Sequence, residues 1–167
     1  MTTRGLEVSE IAGLRVTVMG LGLNGGGLAS ARFFSARGAS VTVTDTRDGK
    51  ALAESLAALE GFPIRYVLGR HEMEDFSAAD LVIKNPAVRA DSPFLAAAKA
   101  VETDISIFLR YCPAPLAAVT GSKGKSTTAS ALAHALSASR KTFLGGNITV
   151  SPLDFLDEVR PDTPVVL

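Results

Sequence analysis

Arg15-Val-Thr-Val-Met-Gly-Leu-Gly-Leu-Asn-Gly-Gly-Gly27 decides the fold. A short run rich in β-branched residues enters a cluster of glycines, the pattern of a strand that ends in a tight turn. Leu28 to Arg37 then carries Ala, Phe and Leu at helical spacing and stops at Gly38, a residue suited to ending a helix. Ser40-Val-Thr-Val-Thr44 is a second strand, closing on Asp45-Thr46-Arg47. Strand, helix and strand in this order form a βαβ unit, whose parallel crossover is right-handed. The fold class is therefore α/β, with a Rossmann-like parallel sheet.

The alternation continues outward. An alanine- and leucine-rich helix is expected at Lys50 to Leu59 and a strand at Ile64 to Leu68. A polar stretch leads to another strand at Asp80 to Lys84, which Asn85-Pro86 breaks. Ser92 opens a helix over Pro93 to Ala100, while Asp104 to Tyr111 is apolar with a periodicity that fits helix or strand. Cys112-Pro-Ala-Pro115 resists both helix and inner strand, so a boundary is placed there, dividing residues 1–112 from 113–167. Beyond it the pattern restarts. Leu116 to Thr120 reads as a strand, Gly121 to Gly124 as a glycine turn and Lys125 to Ser139 as a helix. Further strands are expected at Lys141 to Leu144 and over the final Pro164-Val-Val-Leu167.

Composition narrows the function classes. Of 167 residues, 47% are apolar and 20% charged, the balance of a packed globular chain. Seventeen basic residues face seventeen acidic ones, so no global field draws the chain to nucleic acid or to an anionic membrane. The N-terminus has neither the basic stretch nor the apolar block of a secretion signal, and a cytoplasmic location is expected. Cys112 is the only cysteine, which excludes an intrachain disulfide and a CxxC redox pair.

Two glycine turns carry the chemistry. Gly20-x-Gly22-x-x-Gly25 fits the dinucleotide fingerprint: it follows a strand, opens a helix and is trailed by Asp45 at the end of the second strand. Asp45 is placed to hold a ribose hydroxyl or to end the strand in an Asx turn; Arg47 is placed to meet phosphate or solvent. The second turn, Thr120-Gly121-Ser122-Lys123-Gly124-Lys125-Ser126-Thr127, ends like a P-loop, although Val119 stands where the general pattern has its first glycine. Its backbone N–H groups suit phosphate, Lys125 the terminal phosphates and Ser126 Mg²⁺. No acidic partner at a strand end follows it: Asp154, Asp157 and Glu158 read as a solvated segment, and His71 and His134 as structural. An NAD(P)-dependent oxidoreductase accounts for the first turn but not the second, and the missing catalytic residues and short length favour a non-catalytic nucleotide-binding module.

Five matches in order, Gly20-Leu-Gly-Leu-Asn24, Asp45-Thr-Arg47, Asn85-Pro-Ala-Val88, Ala118 to Thr128 and Gly145-Gly-Asn-Ile148, make the chain resemble the Mur ligases of peptidoglycan precursor synthesis, in particular the D-glutamate-adding member. The resemblance implies that the first unit holds the UDP part of UDP-N-acetylmuramoyl-L-alanine, with Gly22, Leu23, Asn24, Asp45, Thr46, Arg47, Asn85 and Pro86 around it. It implies that Gly121 to Thr127 begin a central domain that binds ATP and Mg²⁺, with Asn147 reaching the sugar-peptide end. ATP then converts the substrate carboxylate to an acyl phosphate, and the amine of D-glutamate displaces phosphate. Asn85, Ala87 and Thr149 depart from the family's usual residues. The family's acidic metal ligand, histidine, carbamylated lysine and C-terminal domain have no counterpart in these residues, so the chain reads as an N-terminal fragment expected to lack ligase activity alone.

Overall fold

The computed structural model describes residues 10–22, 25–146 and 150–167. Five parallel strands form the main sheet: β1 (Arg15–Met19), β2 (Ser40–Asp45), β3 (Ile64–Leu68), β4 (Leu81–Lys84) and β5 (Val101–Glu102), in the order β3-β2-β1-β4-β5. Strand order reverses between β1 and β4, which creates a crevice at their C-terminal ends.

Both faces of the sheet are covered, as a parallel sheet requires. Val16, Val18, Val41, Val43, Leu81 and Ile83 point into one apolar cluster. There they meet Ala29, Phe33 and Phe34 of α1 (Gly26–Ala36) and Ile107 and Phe108 of α5 (Asp104–Tyr111). Met19 and Val82, one residue out of phase, point to the other face. Phe76 of α3 (Met73–Ser77) and Leu95 of α4 (Pro93–Ala96) cover them. Leu52 and Leu59 flank the short α2 (Ala53–Ala57) and are fully buried.

A second parallel sheet orders β6 (Leu116–Ala117), β8 (Val165–Val166) and β7 (Phe143–Leu144) as β6-β8-β7, with α6 (Lys125–Ser137) against it through Ala129 and Ala133. The link between β7 and β8 contains two 3₁₀ turns, Pro152–Asp154 and Leu156–Glu158. Leu153, Phe155, Leu156 and Val159 from this link join the same apolar cluster as α1 and α5. Phe155 lies edge-on to Phe108 and stacks on Phe143.

The strand and helix order follows the sequence pattern, with several corrections. Asp104 to Tyr111 is helical, started by a capping box between Thr103 and Ser106. The polar stretch before β4 hides α3, and β5 is a two-residue strand that escapes periodicity. Expected helices at 50–59 and 93–100 contract to five and four residues, and the strand at 116–120 to two. The 152–158 segment is not simply solvated: its apolar residues are buried, while Asp154, Asp157 and Glu158 pair with Arg32, Arg37 and Lys141. No helix among the described residues is long and apolar enough to cross a membrane.

Candidate functional site

The glycine turn leaves β1 with Gly20 and Gly22 at positive φ and enters α1 through Gly25, also at positive φ. These are left-handed conformations that glycine adopts without a side-chain clash. A Cβ on Gly27 would sit 2.3 Å from the Gly20 carbonyl oxygen and 2.5 Å from that of Leu21, so Gly27 lets the helix lie tightly on the turn. No side chain caps α1 and its own first turn carries no acidic residue, so its positive dipole end faces the cavity, with the Asp104 carboxylate beside Gly26 as a neighbouring negative charge.

Asp45 ends β2 and is 3% exposed. One of its oxygens accepts from Leu21 N at 3.0 Å and Gly22 N at 3.5 Å, drawing the glycine turn against β2. Arg47 donates its backbone N–H and its Nε to the other oxygen at 2.9 and 3.1 Å, and a further guanidinium nitrogen to the first at 3.0 Å. Burial pushes the Asp45 carboxyl up, but the side-chain and backbone hydrogen bonds and the charge of Arg47, with the Gly22 N–H, outweigh burial and hold it below the ordinary range. Asp45 is therefore both an Asx turn and the anchor of the glycine turn. Its lone pairs are spent on the protein, whereas the half-exposed Arg47 side chain keeps a free edge.

At the end of β4, Asn85 donates its backbone N–H to Met19 O at 2.9 Å, points its Nδ2 at Gly20 O at 3.5 Å and accepts from Ala87 N at 3.0 Å. It ties the two strands that flank the crevice. Asp104 opens α5 beside Gly26 and is 8% exposed; its Oδ2 accepts from the Ser151 hydroxyl at 3.0 Å.

These groups line one cavity of about 1350 Å³ along the C-terminal edge of the sheet. Gly22, Asp45, Thr46, Arg47, Asn85 and Pro86, all named from the sequence, share it. Leu23, Asn24 and Asn147 lie outside the described residues. Sequence reasoning passed over Ser55, Asp104 and Ser151 and read His71 as structural; all four also line it. His71 comes from the turn after β3 and packs edge-on against Phe76 and Phe94. Burial pushes its imidazole below the ordinary value, against the opposing charge of Asp45.

The second glycine turn stands apart, and residues 121–127 do not line this cavity. Gly124 is left-handed at the N-cap of α6, whose first turn also lacks an acidic residue. The exposed Lys125 ammonium donates to the Gly121 carbonyl at 2.6 Å, folded over its own loop. The turn thus has the open helix start and the cation that a phosphate needs.

Fold and cavity define a doubly wound α/β protein with a crevice at the C-terminal ends of its parallel strands. Residues 14–107 match the family model described as Mur ligase MurD-like, N-terminal domain, and the chain belongs to that family. Curated relatives named UDP-N-acetylmuramoylalanine–D-glutamate ligase include one from Treponema pallidum, 54% identical over 94% of this chain. Others come from Borreliella afzelii, 48% identical over 97%, and Roseiflexus sp., 46% identical over 95%. The chain spans 31%, 37% and 35% of those three relatives, about a third of their length. A solved pseudomurein peptide ligase type C from Methanothermus fervidus is 20% identical, with a TM-score of 0.46, over 92% of this chain and 32% of that one.

Proposed function

We propose that this chain is the substrate-recognising part of a ligase that adds D-glutamate to UDP-N-acetylmuramoyl-L-alanine. Residues 1–112 hold the UDP end, and residues 113–167 begin a P-loop central domain. The observation that carries this reading is the cavity over the open N-terminus of α1, with Arg47 at one end and the Asn85-Pro86 corner at the other. The diphosphate lies against the glycine turn, where backbone N–H groups and the helix dipole offset its charge. Asn85 and Asp45 hold that turn in shape, and Arg47 offers its free guanidinium edge.

Lys125, Ser126 and Thr127 at the start of α6 fit the phosphates and Mg²⁺ of ATP, because Gly124 leaves the helix start uncapped and no carboxylate repels an anion there. Bound there, MgATP supplies the phosphoryl group that activates the substrate carboxylate; the amine of D-glutamate then displaces phosphate to give the amide. The chain's own work is to bind and orient the two nucleotides.

The dehydrogenase alternative needs Asp45 to hold a ribose diol, and that carboxylate is already filled by five N–H donors from Leu21, Gly22 and Arg47. Calorimetric titration with UDP-N-acetylmuramoyl-L-alanine, NADH and MgATP in parallel tests the proposal. Binding of the UDP compound without NADH supports it. Binding of NADH alone overturns it.

A further inference from the structure

The contacts of His71 favour one proton arrangement. Its Nδ1 lies 2.7 Å from the Thr44 hydroxyl oxygen, and the same hydroxyl lies 3.1 Å from the Arg70 carbonyl oxygen. A hydroxyl has one proton, and a carbonyl can only accept. Both contacts are hydrogen bonds only when the Thr44 proton lies on Arg70 O and the hydroxyl accepts from His71, which puts the hydrogen on Nδ1.

The remaining ring nitrogen, Nε2, then depends on the charge of the ring. Phe76 and Phe94 pack edge-on at centroid distances of 5.8 and 5.1 Å and cover part of the ring, which still lines the cavity. The charged groups at this end of the cavity are Asp45 and Arg47 from the end of β2, Glu54 from α2, and Arg70 and Glu72 on the histidine's own segment. Asp45 is ion-paired to Arg47 and Glu72 to Arg70, which weakens their pull on an imidazolium, and Glu54 is exposed to solvent; burial of the ring outweighs the remaining charge of Asp45. The ring is neutral, and Nε2 is a hydrogen-bond acceptor.

We propose that His71 reads the nucleobase: anchored through Nδ1 on Thr44, it presents Nε2 as the acceptor for the imide N–H of uracil. This rests on the reading of the cavity as a uridine diphosphate site. Position supports the base rather than another part of the ligand. The diphosphate belongs at the glycine turn after β1, and β2 and β3 are the next strands outward, each step about 4.8 Å. The nucleoside therefore extends across the end of β2 toward the turn after β3, where His71 stands. Cytosine offers a lone pair where uracil offers its imide N–H, so the same acceptor rejects it.

The test is calorimetry with UDP and CDP on the whole chain and on His71→Ala. The unaltered chain is expected to prefer UDP, and His71→Ala to cut that preference about tenfold, the effect of one lost hydrogen bond. An unchanged ratio, or equal weakening of both nucleotides, overturns the proposal while leaving the cavity's assignment standing. A chain that binds neither nucleotide overturns the assignment itself. ¹⁵N spectra of the unaltered chain give a readout independent of any variant: Nδ1 protonated and Nε2 bare, with the Nε2 signal moving on addition of UDP but not of CDP. A proton on Nε2 in the free chain refutes the proposal whatever binds.

Discussion

The hydroxyl of Ser151 donates to the buried carboxylate of Asp104 at 3.0 Å, joining segments 47 positions apart. One lies at the start of α5, the other just before the 3₁₀ turns that pack Leu153, Phe155 and Leu156 onto α1 and α5. Removing the hydroxyl leaves a carboxylate oxygen inside with no donor, which costs more than the bond itself contributed. Ser151→Ala is expected to lower unfolding stability by about 1–2 kcal/mol, measured by urea denaturation. A loss within a few tenths would show that solvent replaces the donor.

Gly27 and Gly61 separate steric need from backbone need. At Gly27 a methyl group would overlap two backbone carbonyl oxygens of the glycine turn, atoms that cannot swing aside. Gly27→Ala is expected to cost about 3 kcal/mol or more and to disturb nucleotide binding, because the helix must move off the turn. Gly61 has positive φ and no atom within 4 Å of its would-be Cβ, so Gly61→Ala is expected to cost about 1–2 kcal/mol and leave binding intact. Thermal melts of the two variants, with UDP titrations, check the contrast.

Acid should loosen the sheet at a definable place. Asp80, just before β4, accepts from the backbone and guanidinium of Arg15 at the start of β1 and from Lys99, and these bonds hold its carboxyl well below the usual range. Asp45 is likewise depressed, Arg47 outweighing burial. For a carboxyl whose folded pKa lies below its unfolded value of about 3.9, the unfolded chain binds more protons in between, so stability falls as pH drops. The stabilisation is complete above the unfolded value and fades as pH falls through the folded one. The urea midpoint of the unaltered chain is therefore expected to fall between about pH 5 and pH 3. Asp80→Asn should start lower and fall less steeply; a parallel slope would refute the assignment.

Much of this architecture was legible because the decisive signals are local. The β1 run, its glycine cluster and the alternation of Val16, Val18 and Met19 each follow from a few adjacent residues, and β1, α1 and β2 fell where the pattern put them. Asp45 and Arg47 were legible as cavity residues because they follow the strand beside the glycine turn, whereas Asn85 entered only through the family resemblance. His71 was legible in neither way. What defines it is contact with Thr44, Phe76 and Phe94, brought together only by the β2–β3 pairing and the packing of α3 on α4. Asp104 was hidden differently: the apolar run after it obscured the Thr103-x-x-Ser106 box that starts its helix.

The two glycine turns should be separable by mutation. Lys125 is exposed and bonds only its own loop, and no residue of that loop reaches the cavity. Lys125→Ala is expected to weaken MgATP at least tenfold, by loss of a charge-assisted contact, and to leave UDP affinity unchanged. Calorimetry with both ligands decides, and a parallel loss would mean that the turns form one site.

Protection against amide exchange should differ between the two sheets. β1 and β2 lie inside a sheet covered on both faces, and Val16, Val18, Val41 and Val43 are almost wholly inaccessible. Helix α6 spans 13 residues, yet only Ala129 and Ala133 are buried, and it packs on strands two residues long. Two alanines bury little apolar area, so local opening of α6 costs far less than unfolding the main sheet. Its amides are expected to exchange much faster than those of β1 and β2. The 153–159 link is a separate case, because Leu153, Phe155 and Leu156 are locked into the main core and should be slow despite their loop geometry. MgATP is expected to slow α6 selectively by holding its first turn. Equal protection of α6 and β1 in the free chain would contradict this picture, since it would require α6 to open only with the whole molecule.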